Sequence, residues 1–354
     1  MHCTILSINP GSTSTKYAVY EDERELFTET VQHQEQDLAQ FESITDQFAY
    51  RKGLILDRLQ DRGFPIRQLS AVVGRGGMLP PVQAGGYLVN QAMKDKLTDG
   101  TLIPHASNLG ALIADAIAAP LGIPAYIYDS VASDELADIA RITGLPEVRR
   151  QSFCHVLNTK AMARRVAAKY GKRYEEMNFV IAHIGGGVSV SAHEKGRIVD
   201  VIEDDGGPFS PERAGSIPLS YIVEMAYSGQ YDKKTLSRKL RGMGGMKAHL
   251  GTHDCREVEA RITAGDQHAK EVYEAMAYQI SKGIGEMAPT LSGNIDAVLL
   301  TGGAAHSSML TGWITDRVKF IATVEVEPGE NEMEALTLGA LRILRGEEQA
   351  RTFC

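Results

Sequence analysis

The sequence is short of the features that would tie it to a membrane, a nucleic acid or an oxidising compartment. Its four cysteines, Cys3, Cys154, Cys255 and Cys354, are scattered. They form no Cys-x-x-Cys pair and have no histidine at zinc-ligand spacing, which excludes a zinc-finger site or a disulfide framework and predicts reduced thiols. Basic charge is not in surplus: 37 Lys and Arg stand against 45 Asp and Glu, for a net charge of −8. Nothing there attracts a phosphate backbone over long range, so no nucleic-acid partner is expected. No apolar run approaches the roughly 20 residues of a membrane span, and no basic amphipathic segment offers surface binding, so no membrane association is expected either. The opening residues, MHCTILSINPGSTSTKY, lack a basic stretch followed by an apolar one. They predict no secretory leader and a cytoplasmic protein. Low-complexity tracts and short-period repeats are also absent.

What remains is an ordinary folded composition. The 354 residues are 43% hydrophobic and 23% charged, and the length predicts two domains, since single cores rarely grow past roughly 250–300 residues. Short apolar strands end in glycine. Residues 4–8 run into Asn9-Pro10-Gly11-Ser12, and 71–73 into Gly74-Arg75-Gly76-Gly77. Residues 179–184 run into Gly185-Gly186-Gly187, and 297–300 into Thr301-Gly302-Gly303. Glycine lets backbone N–H groups approach a ligand closely, so four such loops predict phosphate and nucleotide contacts at strand ends. Helices are predicted between them at 109–119, 155–169, 268–287, 307–318 and 333–344. In the third, Val272, Met276, Ile280, Ile284 and Met287 form a stripe at helical spacing that reads as core. Residues 5–20 and 179–201 share one pattern of strand, glycine-rich turn and alternating strand, which predicts two related α/β domains.

The turn Asn9-Pro10-Gly11-Ser12-Thr13-Ser14-Thr15-Lys16 is not a Walker A loop, which needs GxxxxGK[ST]. Its residue types suit a plain hairpin turn. They also suit a grip on a terminal phosphate and the shell of a magnesium ion, with Asn9, Ser12, Ser14 and Lys16 as the groups in reach. The segments ILSINPGSTSTKYAVY, VVGRGGMLPPVQAGGYLVN, IAHIGGGVSVSAHEKGRIVDV and LTGGAAHSSML resemble, in the same order, those of the acetate kinase family. That family lies within the sugar kinase, Hsp70 and actin superfamily, and the likeness is greatest to its butyrate-acting branch. It runs over nearly the whole chain. The chain departs from the acetate-acting members in being shorter and in two altered signatures, their RVVHGG and FHGTSH runs.

The resemblance implies an α/β fold of two related actin-like ATPase domains, each a β-sheet flanked by helices, with an active-site cleft between them. Residues 1–148 and a returning helix at 333–354 would form the acyl-substrate and phosphate domain, and 149–332 the nucleotide domain. The implied reaction is reversible: ATP and a short-chain carboxylate, butyrate first, give ADP and an acyl phosphate. Such a nucleophile is ionised at neutral pH, its pKa being about 4–5, so catalysis means aligning two anions and neutralising charge on the moving phosphoryl group.

By resemblance, Arg75 and Arg213 hold the carboxylate and the phosphoryl group, and His183 faces the phosphates together with Gly185, Gly186 and Gly187. Gly302, Gly303 and Ala304 would take the adenosine. His155 or its neighbour Cys154 would fill a second catalytic histidine position. Asp129 and Glu332, with Asn9, are candidates for magnesium, Asp129 also for a catalytic role, and Glu330 or Glu334 could replace Glu332 by a shift of register. Gly76 and Gly77, with Phe153, are expected in the substrate pocket, the two glycines making room for a chain longer than acetate. Family members are oligomeric, so a homo-oligomer, a dimer or higher, is expected. Two rivals stay open: a kinase for isobutyrate, propionate or acetate, and a superfamily ATPase that acts on no acid.

Overall fold

The computed structural model describes residues 2–204 and 206–354. The chain forms two compact units. Unit 1 is the chain up to Asp134 together with Asn331–Cys354, and unit 2 is Glu135–Glu330. The first boundary was expected fourteen residues later. It lies at Glu135 because that side chain pairs with Lys160 (2.6 Å) and accepts the Ile198 N–H (3.2 Å), while the Ala137 N–H bonds the Val199 carbonyl (2.9 Å). These are contacts within unit 2 that composition does not reveal.

The strands are β1 Thr4–Pro10, β2 Ser14–Glu21, β3 Arg24–Gln32, β4 Ala71–Arg75, β5 Gly86–Leu88, β6 Ala125–Tyr128, β7 Asn178–Ile184, β8 Val188–Glu194, β9 Arg197–Ile202, β10 Ala297–Gly302, β11 Thr323–Pro328 and β12 Arg351–Thr352. Unit 1 holds a seven-stranded sheet in the order β12-β5-β6-β4-β1-β2-β3, and unit 2 a five-stranded sheet in the order β11-β10-β7-β8-β9. The expected duplication is visible strand by strand. β1-β2-β3 and β7-β8-β9 are antiparallel meanders, and β4 and β10 lie parallel to β1 and β7. Even the irregularities match. The second pairing of each meander shifts register, at Val19/Tyr20 and at Ala192/His193. Asp22 and Lys195 take positive φ, 52° and 44°, in the corresponding turns.

Alternation along the strands explains the layers. Leu6, Ile8, Val72 and Ile127 pack in one core with side chains of the helices Phe48–Asp61 and Asn108–Ala118. Ser7 points the other way and bonds Thr337 of the helix Glu332–Leu344 at 2.7 Å. In unit 2, Val180, Ala182 and Ile184 pack with the helices Gln267–Met287 and Ser308–Val318, and Phe179 and Ile181 with Val156–Lys169. The stripe Val272, Met276, Ile280, Ile284 and Met287 is buried core, each such side chain contributing about 1.5–3 kcal/mol. Among the described residues, no helix is long and apolar enough to cross a membrane, and the four cysteines are free.

One glycine pair sets how closely helix and sheet approach. A Cβ on Gly74 would collide with the Gly110 carbonyl, and one on Gly110 with the Arg75 carbonyl. The helix Asn108–Ala118 can therefore lie against the end of β4 only without side chains there. Gly53, inside the helix Phe48–Asp61, is the opposite case, since a Cβ there meets nothing within 4 Å. Gly53→Ala is expected to stabilise the protein by about 0.5–1 kcal/mol through helix propensity, read as a higher denaturant midpoint.

His33 makes stability depend on pH. It is buried, its Nε2 is 2.8 Å from Thr15 Oγ1, and burial first, then the Arg51 guanidinium, push its pKa from 6.5 down to about 4. Above pH 6.5 the ring is neutral in both states and the native state keeps its full stability. As pH falls from 6.5 to 4 the unfolded chain takes up a proton that the native ring refuses, and roughly 2–4 kcal/mol is lost. His193, buried between Tyr174 and Ser191, is pushed in the same direction by its burial. The stability difference between pH 7 and pH 4 is expected to shrink in His33→Gln, measured by chemical denaturation.

Candidate active site

The parallel strands β1, β4 and β6 bring three polar residues to one edge of the unit 1 sheet, the carboxyl end where α/β proteins place their ligands. Asn9 is near the end of β1, Arg75 ends β4, and Asp129 follows β6. Glu332, the first residue of the returning helix, joins them. Its Oε1 lies 2.9 Å from Arg75 Nη1, its Oε2 accepts from Asn9 Nδ2, and Arg75 Nη1 reaches Asn9 Oδ1 at 3.4 Å. Asp129 is buried with φ of 40°, its Oδ1 accepts the Gly85 N–H at 2.8 Å, and its own N–H bonds the Gly85 carbonyl at 3.1 Å. A non-glycine residue held at positive φ stores strain, and such strain clusters at working sites. Of the three glutamates in question, Glu332 is the one that contacts Arg75 and Asn9. Glu330 belongs to unit 2 and contacts His183.

Asn9 pairs with Lys16 across β1 and β2, so Lys16 and Ser14 share the Asn9 face of the sheet while Thr15 faces away. Ser12 is exposed at the tip. The two glycines after Arg75 have another purpose than the expected one. A Cβ on Gly76 would lie 2.5 Å from Ser130 Cβ, and one on Gly77 2.6 Å from Asn108 Oδ1. The volume these residues lack is filled by neighbouring side chains of unit 1, so it is not space left for an acyl chain. Phe153, grouped with them in the sequence reading, belongs to unit 2 and is 42% exposed.

Unit 2 builds its site in the same way. His183 is the penultimate residue of β7, just before the triple-glycine turn, which closes through the Gly185 N–H and the Gly187 carbonyl at 2.9 Å. Gly302, at the end of the neighbouring β10, has φ of 93°, and a Cβ there would strike the Ile184 backbone. Gly185, Gly186, Gly303 and Ala304 line one cavity of about 720 Å³ with His253 and Arg256, within the range for a nucleotide-sized ligand.

His155 stacks on His183, ring centroids 3.8 Å apart and planes within 8°, and its Nδ1 is 3.0 Å from Ser189 Oγ. Cys154 is buried instead, and burial pushes its thiol up to about 12. Of the two candidates for the second position, the histidine is the one that meets His183.

Asn158 Nδ2 lies 3.0 Å from His183 Nδ1 and 3.1 Å from Thr301 Oγ1. An amide that donates to Nδ1 leaves the ring proton on Nε2, 3.4 Å from Glu330 Oε1. Arg213 does not pair with Glu212. Asp204 holds both Arg213 (3.3 Å) and Arg241 (2.9 Å), while Glu212 is 3.6 Å from Lys247. Among the described residues no three His, Cys, Asp or Glu side chains gather into a ready metal site.

The comparisons with known proteins agree in direction. The signature of the acetokinase family matches residues 143–337. Over its full length the chain is 49% identical to a protein named "Probable butyrate kinase" from Clostridium botulinum, covering 100% of both chains. It is 50% identical to "Probable butyrate kinase 2" from Caldanaerobacter subterraneus, covering 99% of each.

The chain belongs to the acetokinase family. It is a phosphotransferase of that family, and the actin-like duplication of its sheets is the family fold. Among solved structures, acetate kinase from Porphyromonas gingivalis superposes with a TM-score of 0.79 at 18% identity, over 97% of this chain and 100% of that one. A propionate kinase from Francisella tularensis superposes with a TM-score of 0.75 at 17% identity, over 95% and 98%. At those identities the likeness speaks for the fold.

Several residues that contact the candidate site residues escaped the sequence reading. Asn158 sits three residues after His155 inside a predicted helix, where a lone amide gives no signal. Asp204 and Arg241 are 37 residues apart, and only the fold brings them together.

Proposed function

We propose that the protein transfers the γ-phosphoryl group of ATP to the carboxylate of butyrate, reversibly, giving butyryl phosphate and ADP. The full-length identity of about half to proteins named as butyrate kinases carries this reading. The residues supply a physical account of it. An ionised carboxylate needs no base, so the protein's task is electrostatic. In unit 1, Arg75 offers a planar guanidinium at a strand end, aligned by Asn9 and Glu332, and a carboxylate or phosphoryl oxygen pair suits that fork. In unit 2, the Gly185–Gly187 turn and Gly302 let backbone N–H groups approach phosphates, the cavity beside Gly303 and Ala304 takes the nucleoside, and the His183 Nε2–H is a donor for a phosphate oxygen. Arg213, held by Asp204, adds positive charge.

A divalent metal, magnesium first, fits the oxygen donors Asp129, Glu332 and Asn9. Magnesium takes one or two carboxylates and completes its shell with water and phosphate oxygens, so no protein cage is required. When bound, it would neutralise phosphate charge. ATP as co-substrate suits a cytoplasmic enzyme.

The test is to incubate the protein with magnesium-ATP and single acids from acetate to hexanoate, isobutyrate included, trapping acyl phosphate with hydroxylamine. A hydroxamate signal that needs acid and peaks at butyrate is expected. A peak at acetate or isobutyrate would replace the substrate, and ATP hydrolysis without hydroxamate from any acid would overturn the reading.

A homo-oligomer is part of the same proposal. The helix Leu219–Tyr227 buries none of its residues, and Leu219 and Tyr227 are 81% and 88% exposed. A second copy of the chain is expected to cover it. Sedimentation should return at least a dimer that Tyr227→Arg weakens, and a wild-type monomer at micromolar concentration would refute it.

A further inference from the structure

Among the described residues, Arg51 is the largest fully buried side chain, 1% exposed. It stands at the head of the buried stripe Arg51, Ile55, Leu59 on the helix Phe48–Asp61, where an apolar residue would simply lengthen the stripe. No carboxylate among the described residues pairs with it, and burial lowers its pKa. A buried, unneutralised guanidinium costs several kcal/mol unless its donors are satisfied.

Its donors are aimed at the glycine-rich turn between β1 and β2. Nη1 donates to the Gly11 carbonyl (2.7 Å), the Ser14 carbonyl (3.0 Å) and Thr15 Oγ1 (3.0 Å). Nη2 donates to the Ser12 carbonyl (3.1 Å) and to Gln47 Oε1 (2.8 Å), which also accepts from Nε (3.1 Å). The remaining carbonyl of the turn, Thr13, accepts the His33 N–H at 2.9 Å. All four carbonyls of residues 11–14 are thus held from the protein side. Ser12 and Thr13 are exposed and donate no backbone hydrogen bond among the described residues. A turn whose carbonyls are tied back presents N–H groups and hydroxyls outward, which is how backbone binds anions.

We propose that Arg51 is a positioning residue for phosphoryl transfer: it ties back the carbonyls of Gly11, Ser12 and Ser14 so that the turn receives a terminal phosphoryl group on its N–H and hydroxyl side. The inference rests on the kinase reading above. Arg51 touches no substrate. It acts through the turn, on the face of the sheet opposite Asn9, Ser14 and Lys16.

The test compares wild type, Arg51→Ala and Gln47→Leu by hydroxamate kinetics, nucleotide affinity and melting. Arg51→Ala is expected to lose about 100-fold in kcat, the size of effect a misplacement of about 1 Å produces. ADP affinity should stay within about twofold, because the nucleoside cavity is in unit 2, whereas preference for ATP over ADP should fall. Millimolar methylguanidinium should restore at least tenfold of the lost kcat, which a general loss of folding would not allow. Gln47→Leu, which removes one acceptor and leaves Nε without a partner, should lose about tenfold in kcat and also melt lower, so its kcat is read well below its own transition.

Wild-type kcat in Arg51→Ala, or a loss that methylguanidinium does not relieve, would overturn the proposal. If Arg51→Ala does not fold, wild-type kcat and KM in Gln47→Leu overturn it. Failure of the kinase reading shows separately, as wild-type protein giving no hydroxamate from any acid; the ratio of ATP to ADP affinity in the variants then still reads the role of Arg51.

Discussion

Arg75→Ala is expected to lower kcat for acyl phosphate formation by about 1,000-fold or more, the loss that follows removal of a charge-stabilising donor at a phosphoryl or acyl transfer centre. Its stability should barely move. The Arg75 and Glu332 side chains are 23% and 22% exposed, and a pair that water still reaches is worth about 1 kcal/mol or less. Glu332 also keeps its bond from Asn9. Arg75→Lys should recover part of the activity, since it restores the charge but not the planar fork. Glu332→Gln separates the two possible reasons for the arginine. If Arg75 served only to hold Glu332, the two variants would lose activity equally, and kcat in Arg75→Ala within tenfold of wild type would sink its catalytic assignment. Steady-state hydroxamate kinetics with parallel thermal melts decide the matter.

The second large effect comes from a methyl group. Gly110→Ala should gain up to about 1 kcal/mol of helix propensity, as Gly53→Ala does. Here, however, the new Cβ runs into the carbonyl of Arg75, with the Arg75 N only 3.1 Å away. Both obstacles are backbone, and backbone in a paired strand cannot swing aside as a flexible side chain can. Overpacking of this kind costs about 1–3 kcal/mol, so the clash wins and a net loss of about 1 kcal/mol is expected, or a melting temperature about 2–4 °C lower. The strand end that must retreat carries Arg75, so kcat should fall more than tenfold even below the melting transition. A melting temperature at or above wild type would show that the helix moves away without strain. The same substitution thus has opposite signs at Gly53 and Gly110, and the difference lies in what each added carbon meets.

Much of the architecture was legible because it is local. The strands at 4–8, 71–73, 179–184 and 297–300 are all present and one or more residues longer, the helical stripe from Val272 to Met287 is buried, and the repeated meander follows from two like patterns half a chain apart. The site was legible where a residue stands at or next to the end of a strand, as with Arg75, His183 and Gly302. It was not legible where chemistry depends on what a side chain faces. Gly76 and Gly77 read as missing bulk, yet their missing side chains leave room for Asn108 and Ser130, which approach from a helix start and a loop. Arg51 was not singled out from the sequence, because nothing local marks a guanidinium whose partners lie in a turn about 40 positions earlier.

The return of the chain at Asn331 has a consequence for how the protein is made. Unit 2 is one continuous stretch, but the edge of unit 1 that holds Asn9 and Arg75 is closed by Glu332, 323 residues after Asn9. At roughly 5–20 residues per second of synthesis, Asn9 waits about 15–65 s for that partner. During this time the nascent unit 1 sheet exposes the face that the helix Glu332–Leu344 later covers. Residues made only after the whole of unit 2 therefore complete unit 1.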